Sequence, residues 1–322
     1  MKKRIIIYGA GYNFRKLFTE RIAERLNKEF CVLGVVDKNT YFLKDVSEKF
    51  PCYRCIHDWN FDCVCITSTA YYDQIKEELL LHEVNEAKIL PYSFWQEYCE
   101  RAYFPLDLLK GKGVEIGGPS EIFQVIYNLD CVCDGVNYDT QTVWGNNVGK
   151  DYVWKGKVIG KQIIADATDL GIIEDQTYDF LLSSNNLEHI ANPLKAMKNF
   201  LRILKADSPI IILVPCKEYS FDHRRDDTLF EHLIKDYEDG TLEDDLTHLP
   251  EIIEKHDLTR DPLAGTMEQF KARSVNNYKN RCLHHHVFSI ELFERIAEYF
   301  QMEIIENTIF NENYYFVAIK RF

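Results

Sequence analysis

Between Tyr178 and Lys205 the chain reads YDFLLSSNNLEHIANPLKAMKNFLRILK, and three kinds of signal follow one another in it. Tyr178 to Ser184 is a short apolar run, the pattern of a parallel strand buried on both faces. Polar residues replace it abruptly. Asn185, Asn186, Glu188 and His189 stand where such a strand ends, and open α/β sheets bind their ligands outside the carboxyl ends of the strands. Asn192 and Pro193 then start a helix, the first as its cap and the second in its first turn, where a missing N–H costs nothing. Leu194, Met197, Phe200, Leu201 and Leu204 recur at three- and four-residue spacing, so the helix lays one apolar stripe back on the sheet.

The succession of aspartate, apolar strand, Ser183-Ser184, Leu187-Glu188-His189 and a Pro-started helix ending Arg202-Ile203-Leu204-Lys205 resembles one segment of a known family. It is the segment that ends the fourth strand of class I S-adenosylmethionine-dependent methyltransferases of the type 11 kind. The resemblance runs over roughly residues 110–322, about two thirds of the chain. It implies a seven-stranded α/β sheet closed by an antiparallel hairpin, and S-adenosylmethionine as cofactor. Val114-Glu115-Ile116-Gly117-Gly118-Pro119-Ser120 matches the family's first motif. There a carboxylate and a bare glycine turn meet the methionine part of the cofactor. Glu115, Gly117 and Gly118 are therefore expected at the cofactor, although the later glycine positions of the motif are Pro119 and Glu121 and proline removes a donor. Asp134, nineteen residues beyond Glu115, is expected to hold the ribose hydroxyls. Asp166 and Ala167, after the strand Ile163-Ile164-Ala165, are expected at the adenine, with Asn185 at the end of the quoted strand.

Upstream, Ile5-Ile6-Ile7-Tyr8 runs straight into Gly9-Ala10-Gly11 and a helical stretch marked by Phe14, Leu17, Phe18, Ile22 and Leu26. This is the opening of a βαβ unit, whose backbone N–H groups and helix N-terminus can approach a phosphate. A second strand, Cys31 to Val36, ends in Asp37, near the position of a ribose-binding acid. Phe14 stands where a third glycine would complete the fingerprint. The segment resembles the small Rossmann-type domain on bacterial sugar-modifying enzymes, in which it holds a nucleotide or only packs against a neighbour. The chain thus divides into a Rossmann-like, nucleotide-binding-type domain at 1–105 and a methyltransferase-like domain at 106–322. The latter carries a His-rich insert at 216–286.

That insert holds seven of the ten histidines, and imidazoles with carboxylates suit a divalent metal or the wall of a hydroxyl- or phosphate-bearing substrate. Read as one helix, Asp244 to His256 would place Asp244, His248 and His256 on a single stripe. His284-His285-His286 cannot all face one way. No H-E-x-x-H spacing fixes a coordination set, so the metal and its ligands are left open. Cys52, Cys55, Cys63 and Cys65 lack the paired spacing of a zinc ribbon and read as small core residues. For methyl transfer to a hydroxyl a general base is needed, and His189, His223 and His285 are the candidates.

A net charge of −13 disfavours the basic surface that nucleic-acid binding requires. No apolar run approaches the length of a membrane span. Ten cysteines without a signal peptide read as reduced thiols, and the expected location is the cytoplasm. The function expected is methyl transfer to a small-molecule polar acceptor such as a sugar or nucleotide-linked sugar of surface glycan synthesis. The alternative is a methyltransferase-like protein that has lost the cofactor and binds a metal, a nucleotide-sugar or a partner in glycan assembly. A homo-oligomer is compatible with either.

Overall fold

The computed structural model describes residues 2–56 and 60–321 and divides into two compact units, Met1–Pro105 and Leu106–Phe322. In the first, strands β1 (Lys3–Tyr8), β2 (Phe30–Val36), β3 (Cys52–Tyr53), β4 (Cys63–Ile66) and β5 (Ile89–Leu90) form a parallel sheet in the order β3-β2-β1-β4-β5. The helical stretch expected from Phe14 to Leu26 is two helices, Tyr12–Arg15 and Glu20–Glu29, separated at the extended Thr19. Phe14 is fully buried and stacks on Phe18 and Trp95 at centroid distances of 4.6 and 4.9 Å, so an aromatic cluster occupies the place of the third glycine. The Asp37 carboxylate accepts from the N–H of Ala10 at 2.7 Å and of Asn39 at 2.8 Å. A cavity of ≈ 570 Å³ opens beside it, lined by Gly9, Gly11, Thr67 and Gln74 among others. Cys63 and Cys65 are buried free thiols in β4, and burial pushes both pKa values up.

The second unit is built on β6 (Lys112–Ile116), β7 (Val132–Asn137), β8 (Asp151–Trp154), β9 (Lys157–Ile164), β10 (Phe180–Ser184), β11 (Pro209–Pro215), β12 (Glu303–Phe310) and β13 (Asn313–Ile319). Their order is β12-β13-β11-β10-β6-β7-β9-β8. The five strands from β11 to β9 are parallel, and the terminal hairpin β12/β13 joins β11 antiparallel. The expected count of seven is short by one. The chain between β7 and β9 carries one further strand, β8, which pairs antiparallel with β9. Strand β10 is buried along its whole length between β6 and β11, as a run apolar on both faces must be. In the following helix, Pro193–Ile203, the Asn192 side chain accepts from the N–H of Lys195 at 3.0 Å. Leu194, Met197 and Phe200 have no exposed surface, each worth roughly 1.5–3 kcal/mol of burial.

Between β11 and the last helix, Ile290–Tyr299, lies a helical layer: Phe230–Asp239, Leu249–Lys255, Met267–Ser274 and Asn277–Asn280. The single helix expected from Asp244 to His256 does not form. Its helical part begins only at Leu249, before Pro250, and His248 and His256 face different neighbours. His256 lies 3.2 Å from Asp261 and stacks on Phe270, whereas His248 lies 3.0 Å from His232. Among the described residues no helix is long and apolar enough to cross a membrane.

The β8/β9 hairpin can lie against β7 only because position 160 lacks a side chain: a Cβ on Gly160 would sit 1.9 Å from the carbonyl oxygen of Cys133. Gly160→Ala is therefore expected to cost on the order of 1–3 kcal/mol or more, read as a lowered urea midpoint. An unchanged midpoint would show that this hairpin is not fixed to the sheet.

Candidate functional site

The parallel strands end on one edge, and a cavity of ≈ 550 Å³ lies there, lined by the segments that follow β6, β7, β9, β10 and β11. After β6 the chain turns at Gly117, whose φ of +89° favours glycine and whose added Cβ would meet Asn186 Nδ2 at 2.6 Å. Gly117 lines the cavity; Glu115 and Gly118 do not. The Glu115 carboxylate is fully buried and accepts from Tyr127 Oη (2.5 Å), Tyr152 Oη (2.5 Å) and the N–H of Ser120 (3.0 Å). Burial pushes its pKa up against these bonds. A Cβ on Gly118 would lie 2.1 Å from that carboxylate, so the second glycine makes room for Glu115 and not for a ligand.

Asp134 also faces away. It pairs with Val114 in mid-sheet, and its carboxylate accepts from Tyr178 Oη at 3.0 Å, the N–H of Lys161 at 2.9 Å and Lys112 Nζ at 2.9 Å. Strand β7 continues through Gly135 and Val136, and the residue it delivers to the cavity is Asn137, whose Nδ2 donates to the Gly118 carbonyl at 2.9 Å. Asp166 and Ala167 do line the cavity. Asp166 Oδ1 accepts from the N–H and Oγ1 of Thr168, and Oδ2 pairs with Arg281 at 2.9 Å. Burial would raise the Asp166 pKa, but the Thr168 bonds and the Arg281 guanidinium hold it below the usual carboxylate range. The same guanidinium lies 2.9 Å from Glu243 and over the Tyr138 ring at 5.2 Å. Asn185, in the left-handed region with φ +47°, presents its side chain at the end of β10.

On the other wall stand Glu188, His189 and His284. His189 Nδ1 lies 3.1 Å from the carbonyl oxygen of Leu283, which can only accept, so Nδ1 carries the proton and Nε2 keeps a lone pair. Burial, reinforced by the neighbouring His284, lowers the His189 pKa well below that of an ordinary imidazole. His284 Nδ1 is 2.5 Å from Asp222 Oδ2. Burial would lower the His284 pKa, and Asp222 overrides it and raises it. Asp222 is held down to about 2, against its own burial, by His284 and Arg225. The Glu188 carboxylate is buried, and neither oxygen has a hydrogen-bond partner among the described residues. His189 Nε2 and His284 Nε2 are 3.9 and 4.0 Å from it, and burial pushes its pKa up to about 7. Trp144 packs edge-on over the His189 ring at 5.1 Å, and Phe221 over His284 at 4.6 Å.

Two expected bases are elsewhere. His223 Nε2 lies 2.9 Å from Asp257 and His285 Nε2 lies 3.0 Å from Asn277 Nδ2; neither residue lines the cavity. Of the three adjacent histidines it is His284 that reaches the cavity, while His285 uses its backbone N–H to bond the Glu188 carbonyl at 2.8 Å. Reading from sequence also missed Asn137, Tyr138, Trp144 and Arg281. Of these, Asn137 had a signal, since Gly135-Val136 continues the strand beyond Asp134.

A parallel sheet closed by an antiparallel hairpin, with a glycine turn at a cavity on its carboxyl edge, is the build of class I methyltransferases. Residues 92–306 match the family described as a methyltransferase domain, and the chain belongs to it. It is a methyltransferase. Residues 1–90 match a family described as C2185-like, N-terminal. Similar solved structures include a Haloferax volcanii methyltransferase in complex with the Trm112 methyltransferase activator, at 10% identity over 79% of this chain and 97% of that one, TM-score 0.43. A Methanosarcina mazei S-adenosylmethionine-dependent methyltransferase is 13% identical over 67% and 97%, TM-score 0.40. One from Archaeoglobus fulgidus is 15% identical over 78% and 100%, TM-score 0.39. No curated protein matches the chain.

The cavity fits S-adenosylmethionine, the cofactor that the family resemblance implies, on its own terms: its volume is in the ~300–1,000 Å³ range of small-molecule sites. Its floor at Gly117 is bare of a side chain, and Asn186 Oδ1 and both Glu188 oxygens are buried without a hydrogen-bond partner among the described residues. Glu115 is a support of that floor. Glu115→Ala leaves the buried Tyr152 hydroxyl without its acceptor, at about 1–3 kcal/mol, and Tyr127 and Ser120 bonded only to each other, and is expected to lower the melting temperature. A variant that keeps wild-type stability but loses cofactor would return Glu115 to the site.

Proposed function

We propose that the enzyme transfers a methyl group to a hydroxyl of a small polar acceptor, a sugar or nucleotide-linked sugar, with His189 as general base. The observation that carries this is the state of His189: largely but not fully buried, neutral, its proton fixed on Nδ1 by the Leu283 carbonyl and its Nε2 lone pair unused at the cavity wall. S-adenosylmethionine supplies, when bound, an electrophilic methyl on a sulfonium centre. Gly117, Asn137, Asp166, Ala167 and Asn185 are the residues we assign to holding it, with Asn137 in the part expected of Asp134. The unpartnered Glu188 carboxylate gives a positive charge in the cavity its counter-ion. His284, locked by Asp222, and the faces of Trp144 and Phe221 form the acceptor side. Aromatic faces beside Asn311 and Asn313 suit a ring that carries hydroxyls. For the first unit we propose an accessory role, because the Asp37 carboxylate is already bonded to the turn it follows and Phe14 fills the helix–strand gap.

His189→Ala is expected to lower kcat by about 10²–10⁴ while S-adenosylhomocysteine affinity by calorimetry stays unchanged. Full activity of that variant overturns the assignment of the base. Asn137→Ala should weaken S-adenosylhomocysteine by up to about tenfold, the worth of a neutral hydrogen bond, and a wild-type affinity would remove Asn137 from the cofactor site.

A base works deprotonated, and a lowered imidazole pKa keeps it so to lower pH. The acid limb of the pH profile of kcat should therefore lie below the ordinary histidine value of about 6.5 and vanish in His189→Ala. A limb at or above that value, unchanged by the substitution, would place the titrating group elsewhere.

A further inference from the structure

Away from the cavity, the helical layer brings three imidazoles and a carboxylate to one point. His232 and Asp236 are four residues apart on the helix Phe230–Asp239 and so share a face. His248 comes from the residue that precedes the helix Leu249–Lys255, and His286 from the segment that leads to the last helix. His232 Nε2 lies 3.0 Å from His248 Nε2 and 3.3 Å from Asp236 Oδ2, and His286 Nε2 lies 3.0 Å from the same Oδ2. All four ligand atoms fall within 4.8 Å of one another. Bonds of ~2.0–2.1 Å directed to the corners of a tetrahedron set neighbouring ligand atoms about 3.3–3.4 Å apart, close to these separations.

Hydrogen bonds alone do not account for the arrangement. An imidazole nitrogen has one in-plane site, a proton or a lone pair, yet His232 Nε2 faces both His248 Nε2 and Asp236 Oδ2. A cation at the centre satisfies all four atoms together. The remaining groups are placed to allow it. Asp236 Oδ1 accepts from Thr241 Oγ1 at 3.1 Å, and the Asp236 carbonyl accepts from Asn192 Nδ2 at 2.9 Å, so the carboxylate is oriented from outside. His286 Nδ1 is buried without a hydrogen-bond partner among the described residues, so the ring can carry its proton there and leave Nε2 as a lone pair. Arg225, the cation of the same layer, is paired with Asp222 at 3.1 Å and faces Glu251 at 3.7 Å. The His286 side chain has no exposed surface, Asp236 retains 11% and His232 36%.

We propose that His232, Asp236, His248 and His286 bind a zinc ion in a closed structural site. Three imidazoles and one carboxylate in a tetrahedral set are ligands of the zinc class, and four protein ligands leave no position for substrate. The ion joins the helix Phe230–Asp239, the start of Leu249–Lys255 and the segment that carries His284 into the cavity. It therefore fastens the helical layer to the acceptor wall and takes no part in chemistry.

The test uses full-length protein made without a polyhistidine tag. Supplied with zinc and then dialysed, it is expected to retain about one zinc ion per chain by elemental analysis. Replacement by Co²⁺ should give the intense visible bands of a tetrahedral site. His232→Ala, at a half-buried ligand, should weaken zinc by more than the ~10–100-fold that loss of an outer partner costs, whereas His189→Ala should retain it. If wild type retains no zinc, if the cobalt form lacks tetrahedral bands, or if His189→Ala alone loses the ion, the proposal fails. The last result would move the metal to Glu188, His189 and His284. Should His232→Ala not fold, the cobalt spectrum of the wild type decides.

Discussion

The cavity wall that carries His284 hangs from one buried ion pair, Asp222 with His284 at 2.5 Å, extended by Arg225 to a triad. Charges taken out of water lose several kcal/mol each, and only close geometry and further hydrogen bonds return it. Here both are present. Arg225 donates to Asp222 at 3.1 Å and also to the backbone carbonyls of His284 and His285 at 2.8 and 3.2 Å. The guanidinium thus fixes the chain that presents His284, and Asp222 fixes the ring itself. Removing one member of such a set costs about 3–5 kcal/mol, because the other charges stay buried without a partner. The geometry of this wall follows from avoiding that loss.

The opposite wall uses acids in a different way. Glu115 and Asp134 sit on strands that lead to the cavity, and both are turned inward against tyrosines: Tyr127 and Tyr152 on one, Tyr178 on the other. Each carboxylate locks two segments far apart in sequence, as Tyr152 Oη reaching Glu115 ties the β8/β9 hairpin to the glycine turn. Carboxylates with such partners have few lone pairs left for a ligand. What this side of the cavity presents instead is backbone and amide, at Gly117, Asn137 and Asn185, with Asp166 and Glu243 both paired to Arg281.

The parts legible in the sequence are those with a local cause. Strand β10, the Asn192 cap and the apolar stripe of the helix after it follow from residues within a few positions of one another. The antiparallel hairpin at the C-terminal end was implied by the family resemblance and is β12 with β13. What could not be read depends on partners distant in the chain. Glu115 looks like a ligand acid until Tyr152, 37 residues on, is seen to bond it. Asp134 looks like a strand-end acid until β7 is seen to run on through Gly135 and Val136 to Asn137. The eighth strand was hidden because β8 is a short edge strand with its pattern half exposed. Choosing His285 over His284 was a matter of which way alternate side chains point in an extended segment, and tertiary register alone sets that.

The three adjacent histidines show what such a segment can do. His284 belongs to the ion pair at the cavity, His285 holds Asn277 and the Glu188 carbonyl, and His286 reaches the Asp236 carboxylate. Consecutive residues are about 3.3–3.6 Å apart along an extended chain, so three environments are served within one rigid stretch of backbone. Because Arg225 clamps two of its carbonyls, the stretch cannot give way at one residue without moving the next. A shift at His286 is thus carried to His284, and through its ring to His189, which it meets edge-on at 4.5 Å. The position of His189 at the cavity wall depends partly on what holds Asp236 and His286, which do not line the cavity.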